Sequence, residues 1–486
     1  MTWCGLGRTA IDNLPDNVLL HIFDFYRIFP LLPENMFSVW DWHVLVHVCR
    51  KWRKIVFASP NRLGLRLRCT PTTPVRKTLD IWPPLPIFVE IPAHLPLHPA
   101  PDDDNLITAF EERDRVCVVA LHGLMHGQLE RFAAVMQEPF PALTHLCLES
   151  DSSEVAPALP ATFMGGSAPR LQSLQLKGIS FPALPNFTLS PNDLTLLNLH
   201  DIPSTGYISP GTMVAFLSTL TSLQFLTIEF KTPILPPDPR SQRVTPPVRV
   251  LLPVLSNFRF KGVSEYLEDT VAQIDTPLLT IFDVVFFNQL TFTIPRLSQF
   301  IHRTETIKSY SQLRLTFTSH QVLIGFSHGS LHGFSLSILC SPSDWQLLSI
   351  VELCGPPLCL SPNVERLQIS NGVVDPSKWQ DNMDPVQWRE VLRPFTSVRE
   401  LYVSDTMWPL LAPGLKELTG ERTMDVLPML GDLFVEYGPA GSLAKTVEPF
   451  VTARKNAGHS VVVHCRDGKD WDWKAVDWYT YFSSSR

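Results

Sequence analysis

The sequence predicts an α/β protein in which a short helical module precedes a long array of strand-containing repeats. The chain has 486 residues, which is more than one ordinary hydrophobic core accommodates, so a repeat array or several domains are expected. Its composition, 45% hydrophobic and 18% charged, is that of a globular protein. The 44 prolines are close to twice the usual share of about 5% and suit turns between strands.

The array is predicted by one recurring pattern: an apolar residue, two others, an apolar residue, one other and an apolar residue. Most copies begin about 21 to 34 residues apart, which is the period of leucine-rich repeats. The twelve copies begin at Val116, Leu143, Leu171, Leu194, Leu223, Leu255, Leu279, Tyr310, Leu331, Val364, Val398 and Leu430.

The last four positions of each copy alternate, so they can form a short strand with two side chains pointing inward. One unit cannot bury its own apolar face, but stacked neighbours form a continuous core. Single copies arise by chance in a leucine-rich chain, whereas twelve in order favour repeats. We therefore predict an irregular leucine-rich-repeat solenoid, a horseshoe, over residues 116–440.

Composition also excludes several classes of protein. A net charge of -7 argues against a general nucleic-acid binder. Nine cysteines without a C-x-x-C pair indicate a reduced, intracellular protein in the cytoplasm, the nucleus or both. The N-terminus has no apolar signal segment and no run of 18 apolar residues occurs, so no membrane association is expected.

Residues 11–68 contain two stretches with helical periodicity. The first, IDNLPDNVLLHIFDFY, can be capped by Asn13 or Asp16, and Pro15 suits its first turn. The second, WDWHVLVHVCRKWRKIVFASP, places apolar residues on one side of a helix and leaves the other side basic.

This region resembles the F-box family of the fungal type. The resemblance rests on Leu14-Pro15-Asp16 with Leu19 and Ile22-Phe23, on VCRKWRKIV, and on the SPNRLGLRL that follows. Residues 27–41 insert a proline-bearing loop where the usual motif is shorter. The resemblance implies a three-helix module that docks on the Skp-type adaptor of a cullin-type (SCF) ubiquitin ligase. The adaptor-binding residues it implies are Leu14, Pro15, Leu19, Ile22, Phe23, Val48, Cys49 and Trp52.

The residues themselves support docking, because so many apolar groups exceed what a short helical unit can hide, and such a patch usually marks an interface. The alternative is that this face packs on the first repeat as an N-terminal cap of the solenoid.

Residues 69–115 are expected to form a linker and the first solenoid strand, Ile87–Ile91. The HLPLHPAPDDDN stretch reads as a solvated loop tip rather than a metal site. Within the array, residues 231–249 are expected to form an exposed proline-rich excursion, and the pattern is weakest between Leu315 and Val364, where a bulge or insertion is expected.

The third, fifth and seventh positions of each repeat should point to the open face. The middle of this face reads as basic and its C-terminal end as aromatic, which suits an acidic or phosphorylated protein partner; an ordinary solvated face is the alternative. The candidate target-binding residues are Phe225, Thr227, Asn257, Arg259, Lys261, Asp283, Arg314, Arg366, Gln368 and Tyr402.

Residues 441–486 are expected to cap the array with a helix, a strand and an aromatic tail. His464, Cys465 and Gly468 resemble the phosphate loop of cysteine phosphatases, but position 471, where that chemistry needs an arginine, is Trp471.

No catalytic set, metal spacing or cofactor loop is found, so we expect no enzyme, no metal and no cofactor. We expect the substrate-recognition subunit of a cullin-type ubiquitin ligase that holds an unidentified protein target. The alternative is a leucine-rich-repeat binding scaffold with no ligase role.

Overall fold

The computed structural model shows a mixed α/β protein and divides the chain into two compact units. One comprises Met1–Val155 and Pro160–Ser173, and the other Ala156–Leu159 and Leu174–Arg486. The structure describes residues 14–28, 42–93, 103–150, 157–190, 192–233, 249–287, 294–308, 310–318, 320–328, 331–339, 363–372, 385–416, 424–436 and 442–466.

The strands are mostly short, as the repeat pattern predicts. They are β1 Leu67–Cys69, β2 Ile87–Ile91, β3 Val116–Leu124, β4 His145–Ser150, β5 Ser167–Ala168, β6 Ser173–Lys177, β7 Thr188–Leu189, β8 Leu196–Ile202, β9 Phe225–Phe230, β10 Val250–Leu251, β11 Asn257–Gly262, β12 Ile274–Asp275, β13 Ile281–Phe286, β14 Gln312–Thr318, β15 Gln321–His328, β16 Leu331–Leu339, β17 Arg366–Gly372, β18 Glu400–Val403, β19 Asp432–Glu436 and β20 Val462–Arg466.

Helices occupy much of the chain between the strands. They are Asp16–Ile28, His43–Val48, Arg50–Ala58, Pro60–Leu63, Val75–Ile81, Asp103–Glu111, His126–Val135, Pro210–Leu217, Ser264–Val271, Pro295–Arg303, Glu305–Lys308, Pro385–Leu392, Trp408–Lys416 and Ser442–Asn456. Among the residues described, none of these helices has the length and apolar character needed to cross a bilayer.

In the first unit, β1 to β4 lie side by side in chain order and are parallel. The strand Ile87–Ile91 has the predicted bounds, and Leu67–Cys69, which the sequence analysis missed, pairs with it.

In the second unit the strand order is β6-β8-β9-β11-β13-β16-β15-β14-β17-β18-β19-β20. The predicted apolar positions coincide in register from strand to strand, so Leu226 faces Phe258 and Phe258 faces Phe282. The rings of Phe258 and Phe282 stack with centroids 5.3 Å apart, and Phe282 stacks on Phe334 at 5.5 Å. This row, fully removed from solvent, forms the centre of the core.

The weak region after Leu315 contains an antiparallel strand. β14 is not the neighbour of β13; the chain turns back through β15, and β16 pairs with β13 instead. The repeats beginning at Tyr310 and Leu331 are therefore exchanged in space, because β15 reverses the chain between them.

The second predicted helix is divided into His43–Val48 and Arg50–Ala58. Cys49 between them is extended, with φ -157°, and its Sγ accepts a hydrogen bond from the Trp52 N–H at 3.5 Å. Cys49 thereby caps the second helix, so the residues before it do not continue the face that the periodicity predicts.

The expected loop at the aspartates is also wrong for Asp103 and Asp104, which begin the helix Asp103–Glu111. Asp103 is buried and accepts hydrogen bonds from Arg131 Nη1 at 2.8 Å and Gln128 Nε2 at 3.0 Å. The prolines that precede Asp103 in the sequence favoured the prediction of a loop, so the start of this helix was missed. Asp102, most of the loop at 27–41 and the excursion at 234–248 lie outside the described residues.

Candidate functional site

The helix Asp16–Ile28 has one face buried within the N-terminal helices. Leu19 and Phe23, four residues apart and so on one side of the helix, have no exposed surface. The Phe23 ring meets Trp52 edge-on, with centroids 4.8 Å apart. These two predicted adaptor-binding residues therefore stabilise the helical module and are not available to a partner as they stand.

A second face of the same helix is apolar and exposed. Val18, Ile22 and Phe25 are 36%, 44% and 68% exposed, and their spacing of four and three residues places them along one stripe. We call these three residues the helix stripe. Val18 and Phe25 were missed as candidates, although their spacing from Ile22 would have identified them.

The other predicted adaptor-binding residues differ in exposure. Pro15 and Val48 are exposed, whereas Leu14, Cys49 and Trp52 are half-buried. The Leu14 carbonyl accepts a hydrogen bond from Lys51 Nζ at 2.6 Å, which ties the start of the first helix to the helix Arg50–Ala58.

The N-terminal helices are attached to the residues that follow them by aromatic packing. Trp42 is buried and donates from Nε1 to the Arg66 carbonyl at 2.8 Å. Its ring lies 5.2 Å from Trp82 and 5.7 Å from Phe57, edge-on in both cases. Burial of an indole with its N–H satisfied is a stabilising arrangement, so the helical module is firmly held against the start of the first unit's sheet.

In the second unit, the residues that alternate with the buried apolar positions form the other face of the sheet, which we call the polar face. Its central row consists of fifth repeat positions, in register from β8 to β16 and again from β14 to β19, and His464 of β20 continues it. Gly325 of β15 joins the two halves, lying opposite both Ser335 and Arg314. The row reads Asn198, Thr227, Arg259, Asp283, Ser335, Gly325, Arg314, Gln368, Tyr402, Phe434 and His464.

The predicted residues Arg259, Lys261 and Asp283 belong to a network of paired charges. Arg259 Nη2 lies 3.5 Å from Asp283 Oδ2, and Ser335 Oγ donates to Asp283 Oδ1 at 2.6 Å. Lys261 Nζ lies 3.6 Å from Asp201 Oδ1. Arg259 and Lys261 thus each have a carboxylate from their own sheet.

Asp201 was missed because it lies outside the repeat positions. Its φ is +49°, in the left-handed region that aspartate tolerates better than most residues. The ladder between β8 and β9 is interrupted at this point, between Leu199 and Ile202. The irregularity brings the carboxylate within reach of Lys261, two strands away.

Glu229 contributes a further negative charge beside these cations. Its Oε2 lies 3.2 Å from His200 Nδ1. Burial alone would raise the pKa of the Glu229 carboxyl, but the hydrogen bond with His200 and the charges of His200, Arg259 and Lys261 together outweigh it. The pKa of Glu229 is consequently lowered, and the side chain carries its charge at neutral pH.

The predicted residues Arg314, Gln368 and Arg366 are also engaged within the sheet. Arg314 Nε donates to Gln368 Oε1 at 2.9 Å, and burial lowers the pKa of the Arg314 guanidinium. Arg366 Nε lies 2.8 Å from Glu400 Oε2. The same Glu400 oxygen accepts a hydrogen bond from the Tyr402 hydroxyl at 2.9 Å.

The C-terminal end of the row is a stack of three rings. Tyr402 and Phe434 lie 4.4 Å apart at 5° between planes, and Phe434 and His464 lie 4.5 Å apart at 14°. His464 Nε2 is 2.8 Å from Asp432 Oδ1. His464 was not chosen as a site residue, although its alignment with Phe434 extends the predicted row by one strand.

Above the charged centre, the third repeat positions form a largely apolar row. Leu196, Phe225, Asn257 and Ile281 are in register on β8, β9, β11 and β13. Phe225 is 42% exposed, and the other three are half-buried. Neighbouring strands are about 4.8 Å apart, so Leu196 and Phe225 lie side by side, and we call these two residues the apolar strip. Asn257 separates Phe225 from Ile281.

The cysteine of the phosphatase-like motif, Cys465, is exposed on β20 opposite Val435, and Gly468 and Trp471 lie outside the described residues. Within the described part of the chain, no group of three or more His, Cys, Asp or Glu side chains is arranged to hold a metal ion. No protein-family model matches the chain, and a search of curated proteins finds none that matches it.

Proposed function

We propose that this chain is a substrate-recognition subunit of a cullin-type ubiquitin ligase. The N-terminal helices dock on the Skp-type adaptor, and the repeats, a divergent leucine-rich-repeat solenoid, hold a protein target on the polar face. The ligase then acts on target lysines presented at high effective concentration. Such a complex operates in the cytoplasm or the nucleus.

The observation that carries the proposal is the helix stripe. An amphipathic helix normally turns its apolar residues inward, yet this helix buries Leu19 and Phe23 and still exposes Val18, Ile22 and Phe25. Exposed apolar stripes of this kind are typical of helix-mediated protein contacts. The sequence resemblance to F-box proteins, which includes Ile22, implies the Skp-type adaptor as the partner.

The test is co-purification of the full-length chain with the adaptor. Ile22→Asp and Phe25→Asp should each weaken adaptor binding by at least about tenfold, because each places a charge in a buried apolar contact. Both side chains are exposed in the free chain, so the thermal midpoint should change little. Leu19→Asp is not a useful variant, because Leu19 is fully buried and its loss would disrupt the helices themselves.

The matched control is Ile81→Asp. Ile81 is 71% exposed and lies in the helix Val75–Ile81 of the same unit. The substitution therefore removes a similar exposed apolar group outside the helix stripe. Adaptor binding should survive this change. Failure of the wild-type chain to retain the adaptor at micromolar concentrations, or equal loss with Ile81→Asp, would refute the proposal.

A second candidate is a binding scaffold whose N-terminal helices only cap the repeats. The packing of Trp42 on Trp82 and its hydrogen bond to the Arg66 carbonyl favour this role. The scaffold predicts that Ile22→Asp has no binding consequence, whereas the ligase subunit predicts loss of the adaptor with an unchanged fold.

A further inference from the structure

The apolar strip is an exposed hydrophobic feature in the middle of an otherwise polar face. Phe225 leaves 42% of its surface in solvent although it sits on a strand between two neighbours, Leu196 and Asn257. Aromatic side chains are frequent anchors of protein interfaces. The strip therefore offers a place where the side chain of a partner can lie flat against Leu196 and Phe225.

The charges below the strip are already balanced within the sheet. Arg259 is paired with Asp283 and Lys261 with Asp201, while Glu229, paired with His200, stays ionised because its pKa is lowered. The two cations are thus accompanied by three carboxylates. A face with this balance does not attract a strongly negative ligand.

We propose that the polar face around the apolar strip binds an extended, unphosphorylated protein segment, anchored by an aromatic or aliphatic side chain on Leu196 and Phe225. This inference names the target class for the proposed function and rests on it. The amide of Asn257, in register with Phe225 and Ile281, supplies both a donor and an acceptor for the backbone of such a segment.

A phosphorylated segment fits this face poorly. A phosphate carries about -1.5 to -2 charges at neutral pH and would come close to Asp201, Glu229 and Asp283. It would also have to separate Lys261 or Arg259 from its carboxylate, leaving a half-buried charge without its partner, which is costly. Beside the apolar strip, Arg259 and Lys261 are each paired with a carboxylate in the folded chain, so we expect recognition there not to depend on an acidic partner.

The experiment selects a phage-displayed library of random peptides on the full-length protein. Enriched peptides are synthesised with and without phosphoserine, and their affinities are measured for the wild-type chain and for variants. We expect a shared aromatic or aliphatic residue, at least about tenfold weaker binding to Phe225→Asp, and near-normal binding to Phe225→Leu. Phosphorylation beside the anchor should weaken binding, and Lys261→Ala should change it less than about threefold.

Leu278→Asp is the matched control. Leu278 is 55% exposed in the same unit but lies in the turn before β13, outside the polar face, so the affinity should be unchanged. Circular dichroism and the thermal midpoint establish that each variant is folded. The inference is overturned by acidic or phosphorylated peptides that depend on Lys261, or by a selection in which no peptide distinguishes Phe225→Asp from the wild type.

The result is separable from the test of the ligase proposal. Adaptor co-purification depends on the helix stripe, whereas peptide selection depends on the apolar strip. A chain that retains the adaptor but binds every peptide equally in the Phe225→Asp variant would overturn only the inference. Loss of the adaptor with peptide binding intact would overturn only the ligase role.

Discussion

Arg454 donates a hydrogen bond from Nη2 to the carbonyl oxygen of Leu427 at 2.6 Å, and Leu427 adopts a φ of +49°. The same Nη2 lies 2.7 Å from the Val426 carbonyl. Arg454 has no exposed surface, and burial lowers the pKa of its guanidinium. An L-residue at positive φ is strained, so Arg454 holds the turn before β19 in an unfavourable conformation.

Replacing Arg454 with Met should therefore destabilise the second unit by about 2–5 kcal/mol, because two buried carbonyls lose their donor. Hydrogen exchange of residues 424–436 should accelerate most. Lys455→Met, an exposed neighbour on the same helix, is the control and should be nearly neutral. Equal exchange in the two variants would show that the contact does not hold the turn.

Other arginines of the chain also donate hydrogen bonds to backbone carbonyls. Arg115 donates to the Leu85 carbonyl, and Arg303 donates to the carbonyls of Val271 and Ile274. These arginines and Arg454 reach back 27 to 32 residues, about one repeat. The sequence does not predict these hydrogen bonds, because their acceptor is a backbone carbonyl, which has no side-chain signature.

Glu229 should give the stability of the second unit a specific pH dependence. Its folded pKa is lowered, so its contribution is fully present above the unfolded glutamate value of about 4.3 and is lost as the pH falls through the folded pKa. In Glu229→Gln this acid-side loss should shrink, and stability near pH 7 should be lower than in the wild type. Chemical unfolding of both proteins across the acid range measures the difference; parallel curves would contradict the assignment.

The apolar pattern predicted the strands of the array but not their order. Each triplet marks a strand because alternation is a local property of a few residues. The exchange of β14 and β16 depends on β15, whose residues follow a strand pattern without a triplet. It also depends on which strand pairs with β13. Sequence periodicity carries no information on that choice.

The polar face was predictable in position but not in charge. The fifth-position residues were read from the repeat and are in register from strand to strand. The neutralisation of Lys261 required Asp201, which lies at an irregularity between repeat positions. Likewise, the helical period predicted one continuous helix through Val48 and Cys49, whereas the chain is extended at Cys49 and divides into two helices.

Gly333 and Tyr310 form a contact that only a glycine permits. A Cβ at position 333 would lie 1.8 Å from Tyr310 Cζ, because the tyrosine ring crosses β16 at this point. Gly333→Ala should therefore cost about 1–3 kcal/mol or more. In a Tyr310→Ala background the same change should cost much less, because the ring is gone. Unfolding of the two single variants and the double variant gives the coupling energy, and simple additivity would disprove the contact.

Asp103 and Asp104 are adjacent in sequence but differ in their roles. Asp103 is 7% exposed and is held by Arg131 and Gln128, whereas the Asp104 side chain is 83% exposed and its Oδ1 lies 3.0 Å from Nη2 of Arg131.

Asp103→Asn should cost about 1.5–3 kcal/mol, because it weakens charged hydrogen bonds that are largely buried. Asp104→Asn should cost less than about 1 kcal/mol, as exposed ion pairs do. The thermal midpoints of the two variants measure the difference. Calcium should leave the wild-type midpoint unchanged, because the carboxylate of Asp103 is already occupied by Arg131. Equal costs, together with a midpoint that calcium raises in the wild type and not in the variants, would instead identify the aspartates as a cation-binding loop.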